Sequence, residues 1–303
     1  MSMQWRGVIP AITTPFTEEL AVDHPFLAKH ANWMVDAGCT GIMALGSLGE
    51  GATLTLAEKL EILETCVSAV GDRVPVVAGI SALSTDEAVR LAAEASKAGC
   101  KGLMVLPAYV YRGDWTETRA HFEAIFKATG LSCMLYNNPI AYGTDVSPVQ
   151  VAELASRNRN IHAIKESSAD VRRITEIKRL LGDKLDVFVG VDDLIVEGIE
   201  AGAVGWIAGL VNAFPKESVE LFNLALTTRK AETQRVYQWF LPLLRLDVVP
   251  KFVQLIKLAQ QEVGMGSERV RPPRLVLEGE EREQALKVIK SGMGSRSLAM
   301  VKG

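Results

Sequence analysis

Histidine and cysteine are scarce in this 303-residue chain, four of each, and neither set is spaced for a metal. Cys39, Cys66, Cys100 and Cys133 form no CxxC pair, and no HxH or HExxH occurs, so the common zinc motifs are missing. Scattered thiols fit reduced, buried cysteines in a cytoplasmic protein better than a disulfide framework. No run of about 18 apolar residues is present, which argues against a membrane-spanning helix. Met1 to Arg6 lacks the apolar stretch that opens a secretory signal. With 33 basic against 36 acidic residues, a formal net charge of −3, there is no basic footprint for nucleic acid. No GxGxxG turn follows the first apolar run, which weakens a dinucleotide fold. These absences leave a globular protein that needs no metal or cofactor and acts on a small molecule.

What is present is alternation. Short apolar runs at Val8–Thr14, Gly41–Leu45, Val74–Ala78, Gly102–Leu106, Leu131–Tyr136, Ile161–Lys165, Asp186–Val189 and Val204–Ile207 read as strands. Their ends recur mostly every ~24 to 32 residues, about the length of one βα unit. Helical patterns lie between them, as at Leu56–Val70, Thr85–Ala98, Trp115–Ala128 and Val171–Leu181. Gly38, Gly71, Gly99, Gly130 and Gly182 stand where left-handed C-caps are wanted. Eight such units predict an α/β fold, a (β/α)8 TIM barrel, over residues 1–224. Beyond that only helical periodicity remains. Ala231–Leu244, Val249–Val263 and Glu280–Lys290 predict a three-helix appendage over 225–303, packed on the barrel.

Barrel chemistry sits at the C-terminal strand ends. Lys165 closes the β-branched run Ile161-His162-Ala163-Ile164. An ammonium there is costly to desolvate unless paired, and a neutral amine attacks carbonyl carbon, so a Schiff base is the functional reading. A lysine that snorkels outward or pairs with Glu166 is the structural one. Tyr136, in Tyr136-Asn137-Asn138-Pro139, ends the preceding strand and is placed to shuttle a proton; a half-buried ring in a turn is its alternative. Gly46-Ser47-Leu48-Gly49-Glu50-Gly51 offers converging backbone N–H groups for a carboxylate, or an ordinary glycine-rich turn. Glu50 there reads as structural, capping the next helix or holding the loop. Tyr109 and Tyr111 follow the fourth strand and either can face the mouth. Gly190 permits close approach to backbone, Ile207 sits among small residues at the eighth strand end, and Asp192 and Asp193 read as helix N-caps.

Taken together, GSLGE at 46–50, YNNP at 136–139 and IKES at 164–167 resemble the dihydrodipicolinate synthase/N-acetylneuraminate lyase family. The resemblance runs from Gly7 to about Gly209, with a helical tail of the same kind. It implies a barrel in which Lys165 forms an imine with a 2-oxo acid and Tyr136 relays protons. Ser47 would link Tyr136 to Tyr109, and backbone at Ser47 and Leu48 would hold the substrate carboxylate. It also implies a homotetramer built from dimers, the matching tyrosine often arriving from a neighbouring subunit. Two positions depart from the synthase pattern: Ala141 stands where an arginine is usual, and Leu48 replaces a second hydroxyl. Within the family, GSLGEG, YNNPIAYG and Val270-Arg271-Pro272-Pro273-Arg274 most resemble Δ1-pyrroline-4-hydroxy-2-carboxylate deaminases of hydroxyproline degradation. A 2-keto-3-deoxy sugar-acid dehydratase or aldolase is the neighbouring alternative, then dihydrodipicolinate synthase. A barrel that binds a ligand without catalysis is the remote one.

Overall fold

The computed structural model describes residues 3–300, so the last three residues of the expected appendage lie outside it. Its strands are β1 (Gly7–Pro10), β2 (Ile42–Ala44), β3 (Val76–Ile80), β4 (Gly102–Val105), β5 (Ser132–Asn137), β6 (Ile161–Glu166), β7 (Asp186–Val189) and β8 (Gly205–Ala208). All pair in parallel, in the order β1-β8-β7-β6-β5-β4-β3-β2, and an Ala11–Met43 bridge draws β1 to β2. The result is an α/β barrel, as the repeat predicts. Strand residues are nearly all buried, because side chains on one face fill the barrel and those on the other lie under helices. At the N-terminal end Trp5 acts as a plug. Its ring meets Phe188 edge-on at 6.2 Å, and its indole N–H donates to Ser132 Oγ at 2.7 Å. Gly205 makes room: a Cβ there would lie 2.2 Å from the Phe188 ring.

Around the strands run α1 (His24–Asp36), α2 (Leu56–Val70), α3 (Thr85–Lys97), α4 (Trp115–Lys127), the one-turn α5 (Pro139–Tyr142), α6 (Pro148–Arg157), α7 (Arg172–Leu181), α8 (Ile195–Glu200) and α9 (Pro215–Ala225). Reciprocal capping boxes start three of them, Thr55/Glu58 on α2, Asp114/Glu117 on α4 and Ser147/Gln150 on α6. Each satisfies two backbone donors otherwise left open at a helix start. The tail forms α10 (Lys230–Leu244), α11 (Phe252–Glu262) and α12 (Gly279–Ala299), with a 3-10 turn over Arg245–Asp247. No described helix is long and apolar enough to cross a membrane.

Several boundaries move. The first expected strand stops at Pro10 because Thr13 and Thr14 turn to other partners. Thr13 N–H donates to Asn212 Oδ1, and Thr14 Oγ1 to Gly49 O. The second tail helix begins at Phe252, after Pro250 and the 3-10 turn, and the last runs nine residues past Lys290, to Ala299. Gly38, Gly99 and Gly182 take positive φ, but Gly71 stays right-handed at φ −67° and Gly130 is not left-handed.

Candidate active site

Parallel register sets Tyr136 beside Lys165 and Asn137 beside Glu166 across β5 and β6. Lys165 is buried at 7% exposure, with Nζ 4.3 Å from the Tyr136 ring centroid. Among the described residues, Nζ has neither a hydrogen-bond acceptor nor an ion-pair partner. Glu166 does not pair with it: that carboxylate accepts from Asn137 Nδ2 (3.1 Å) and Ser168 N (2.7 Å). Gly190, past the end of β7, gives the lysine its room. A Cβ there would come within 2.6 Å of Lys165 Cε and 2.0 Å of Ser167 Oγ, and that hydroxyl is itself buried without a partner.

Tyr136 is held at its hydroxyl, which accepts from Asn138 Nδ2 at 2.9 Å. Asn138 also caps α5 through Ala141 N, and Gly143 ends that turn in the left-handed region at φ 70°. So short a helix swings Tyr142 back over the strand ends. Its ring lies 5.8 Å from Tyr136 and 5.6 Å from Tyr109, nearly perpendicular to both. Its hydroxyl makes a hydrogen bond with Ser47 Oγ. Tyr109, from the same chain, meets Tyr142 through this edge-on ring contact. Ser47 therefore meets Tyr142, a residue given no role in the sequence reading, and Tyr142 in turn packs on Tyr109. Burial first, then the neighbouring phenols, holds the Tyr142 hydroxyl well above the usual tyrosine range. Tyr111 points away, its hydroxyl on exposed Glu117 at 3.0 Å.

The Ser47 loop is tightly wound, since a Cβ at Gly51 would lie 2.3 Å from Leu45 O. Leu48 is 3% exposed, an apolar wall in place of a hydroxyl. Glu50 holds this loop to the tail, while Thr55 caps α2. It accepts from Lys257 Nζ (2.6 Å) and Arg271 N (3.0 Å).

Across the mouth, the segment after β7 and the tail bring carboxyls that were misread or unread. Asp192 caps nothing; it turns inward and accepts from Trp206 Nε1 (2.9 Å), Gly209 N (3.1 Å) and Leu210 N (2.8 Å). Asp193 caps nothing either and lies 3.6 Å from Arg245. Burial raises Asp192 to about 6, against the pull of those donors and of Lys165. Asp247, from the 3-10 turn of the tail, lies against Gly209, where a Cβ would fall 1.9 Å from Oδ1. Ile207, on β8, is buried at 1% exposure. The signals for these residues were faint: an aspartate pair after a strand, a lone aspartate before a proline, a tyrosine ahead of a glycine.

The Dihydrodipicolinate synthetase family model matches residues 4–292. A protein named 4-hydroxy-tetrahydrodipicolinate synthase from Heliobacterium modesticaldum is 31% identical over 283 residues, 93% of each chain. One of the same name from Geotalea daltonii is 32% identical, covering 94% of this chain and 98% of its own. Among solved structures, dihydrodipicolinate synthase from Aquifex aeolicus superposes with a TM-score of 0.90 at 29% identity, over 94% of this chain and 97% of that one. Dihydrodipicolinate synthase DapA-2 from Bacillus anthracis gives 0.91 at 29% identity, over 95% and 99%. With the matched residues spanning nearly the whole barrel and tail, this chain belongs to the dihydrodipicolinate synthetase family of lyases.

Proposed function

We propose that Lys165 forms an imine with a small 2-oxo acid or its cyclic equivalent, and that the substrate is Δ1-pyrroline-4-hydroxy-2-carboxylate. The observation that carries the imine is the lysine itself: buried, unpaired and 4.3 Å from the Tyr136 ring. Ser47 and Leu48 take the substrate carboxylate, Tyr136 relays protons within reach of Ser47, Tyr142 and Tyr109, and Gly190 and Ile207 border the bound carbon chain. Lys165 adds to C2 of the ring imine, and the ring opens to leave a free amine on C5. Loss of the C3 proton gives an enamine, which expels the C4 hydroxyl as water. Proton shifts move the unsaturation to a C5 imine. Two waters then hydrolyse the two imines, giving ammonia, 2,5-dioxopentanoate and free Lys165. The balance is one water consumed and one ammonia released.

What favours this substrate over the condensation is α5. Ala141 puts no cation there for a second carboxylate, and Tyr142 fills the space beside Ser47 with a phenol. The synthase reading is supported by the relatives' names and by Arg112, whose guanidinium carbon lies 2.2 Å from where a Gly143 Cβ would stand. Four free, buried thiols, pushed up to about 12 by burial, support a reducing cytoplasmic setting, and a homotetramer belongs to the same proposal. Ammonia release from the pyrroline, abolished in Lys165→Ala, is the expected result. Turnover of pyruvate with aspartate semialdehyde, and none of the pyrroline, would transfer the assignment to the synthase.

A further inference from the structure

Three polar groups at the mouth lack protein partners: Lys165 Nζ, Ser167 Oγ and Asp247 Oδ1. The first two share Gly190, and the third stands over Gly209 at the end of the next strand. Among the described residues the other buried side-chain atoms without partners are Thr17 Oγ1 and His30 Nδ1, while the polar groups beside Asp247 are well supplied. Asp192 alone accepts from three donors, and Asn212 donates to both Ala11 O and Gly209 O. An unpartnered buried carboxyl oxygen is expensive, so its persistence asks for a ligand.

We infer that Asp247 receives the hydroxyl on C4 of the imine-bound 2-oxo acid and acts as the acid that protonates it as it leaves. This deepens the imine reading above and rests on it. The tail, not the barrel, supplies the group: the turn over Arg245–Asp247 leads from α10 and sets the carboxyl against the backbone of β8's end. Between the two neighbouring carboxyls the proton belongs on Asp247. Asp192 meets N–H donors, which favour its ionised form, whereas Asp247 Oδ1 meets none. Burial, then the charge of Asp192, holds Asp247 well above the carboxylate range, with Lys165 pulling the other way and Asp193 adding to the repulsion.

The step balances. Asp247 gives its proton to the C4 hydroxyl, the C4–O bond breaks, and water departs. The enamine pair forms C3=C4 while the Lys165 nitrogen pair restores the C=N bond. Asp247 is left as a carboxylate and regains a proton from solvent before the next turnover. Such an acid protonates a hydroxyl and does nothing for a methyl, so the enzyme should distinguish pyruvate from its C4-hydroxylated homologues.

The test compares wild type with Asp247→Asn in borohydride trapping of the Lys165 imine, using pyruvate and 4-hydroxy-2-oxobutyrate, alongside loss of the C4 hydroxyl. We expect pyruvate trapping within twofold of wild type. The hydroxylated acid should need at least tenfold more ligand for half-trapping, and hydroxide loss should slow at least 100-fold. Equal effects on both acids, or none on either, would overturn the assignment; so would a wild type that dehydrates no C4-hydroxylated acid. Pyruvate trapping doubles as the folding control, and Asp247→Ser gives the same split if the asparagine variant does not fold. Absence of any imine with either acid would instead sink the lysine chemistry. An inert pyrroline with the split intact would remove only the substrate named above.

Discussion

Lys165 and Lys257 are two buried lysines of one molecule, and each has its ammonium 4.3 Å from an aromatic centroid, Tyr136 in one case and Phe16 in the other. There the likeness ends. Lys257 donates to Glu50 and to Arg269 O, both at 2.6 Å, and Glu50 in turn meets Arg271 N and lies 3.8 Å from Arg274. Lys165 has the ring and no acceptor among the described residues. Burial alone therefore does not mark a reactive lysine. The distinction lies in whether neighbours have used up its hydrogen-bonding capacity, because a saturated lysine has structural work and a bare one is available to a substrate.

Exchanging the two roles by mutation is the strongest test. Lys165→Ala should lower turnover by on the order of 10⁴-fold or more while the unfolding midpoint stays near wild type, because no described polar partner is orphaned. Lys257→Met should do the reverse. It leaves the Glu50 carboxylate buried and short of its main partner, a loss of about 3–5 kcal/mol for a buried pair. The Arg271 N–H and the nearby Arg274 side chain keep it to the lower end, about 3. Adding Glu50→Gln to Lys257→Met should recover part of that stability, since the orphaned charge is then gone. Chemical denaturation and steady-state rates on the same preparations read both. A Lys165→Ala enzyme that keeps full turnover, or a Lys257→Met protein as stable as wild type, would erase the contrast.

The lysine proposed to do the chemistry was the legible one. It ends a β-branched run one βα unit after Tyr136, and strand-end position in a barrel is a sequence-readable coordinate. Lys257 was not legible, because its meaning depends on Glu50, 207 positions away, and no local pattern carries that pairing. The same holds for Asp247, on a turn in the segment where alternation has stopped, and for Asp192, whose N-cap appearance gave way to donors on β8 and the loop after it. Gly190 reads as room beside the backbone, but sequence does not say that Lys165 and Ser167 border it, nor that Asp247 lies against Gly209. Tyr142 was hidden by scale: a single turn closed by a left-handed glycine looks like loop until its cap is seen.

The buried polar seam between barrel and tail extends the structural side of the comparison to pH. His30 lies fully buried against Asn212 O (2.9 Å) and near Gln260, and burial lowers it from 6.5 to about 4. Its folded value is below its unfolded one, so the unfolded chain binds the extra proton between those two pH values. The contribution is intact above pH 6.5 and is lost as pH falls through 4, a change on the order of 3 kcal/mol. Asp192 runs opposite: raised from 3.8 to about 6, it contributes stability below 3.8 that is lost as pH rises through 6. His30→Gln isolates the first effect. The stability gap between wild type and variant should move against wild type as pH drops from 6.5 to 4; a gap that stays constant with pH would remove His30 from the seam's titration.

The smallest effect expected is that of Tyr142, in the relay beside Lys165. Tyr142 bonds Ser47 and packs on the Tyr109 ring, while Tyr136, packed edge-on against it, faces the lysine directly. A group that passes a proton to the reacting carbon usually contributes about 10²–10⁴-fold, and one that only orders its neighbour contributes less. Tyr136→Phe should therefore fall in that range in kcat, with KM little changed. Tyr142→Phe should cost roughly tenfold, because it keeps both ring contacts and removes only the hydroxyl that meets Ser47. If Tyr142→Phe proves the more damaging of the two, proton traffic enters through Ser47 and α5 rather than through Tyr136. The bare lysine would then owe its selectivity to a one-turn helix whose equivalent in the synthase pattern carries an arginine.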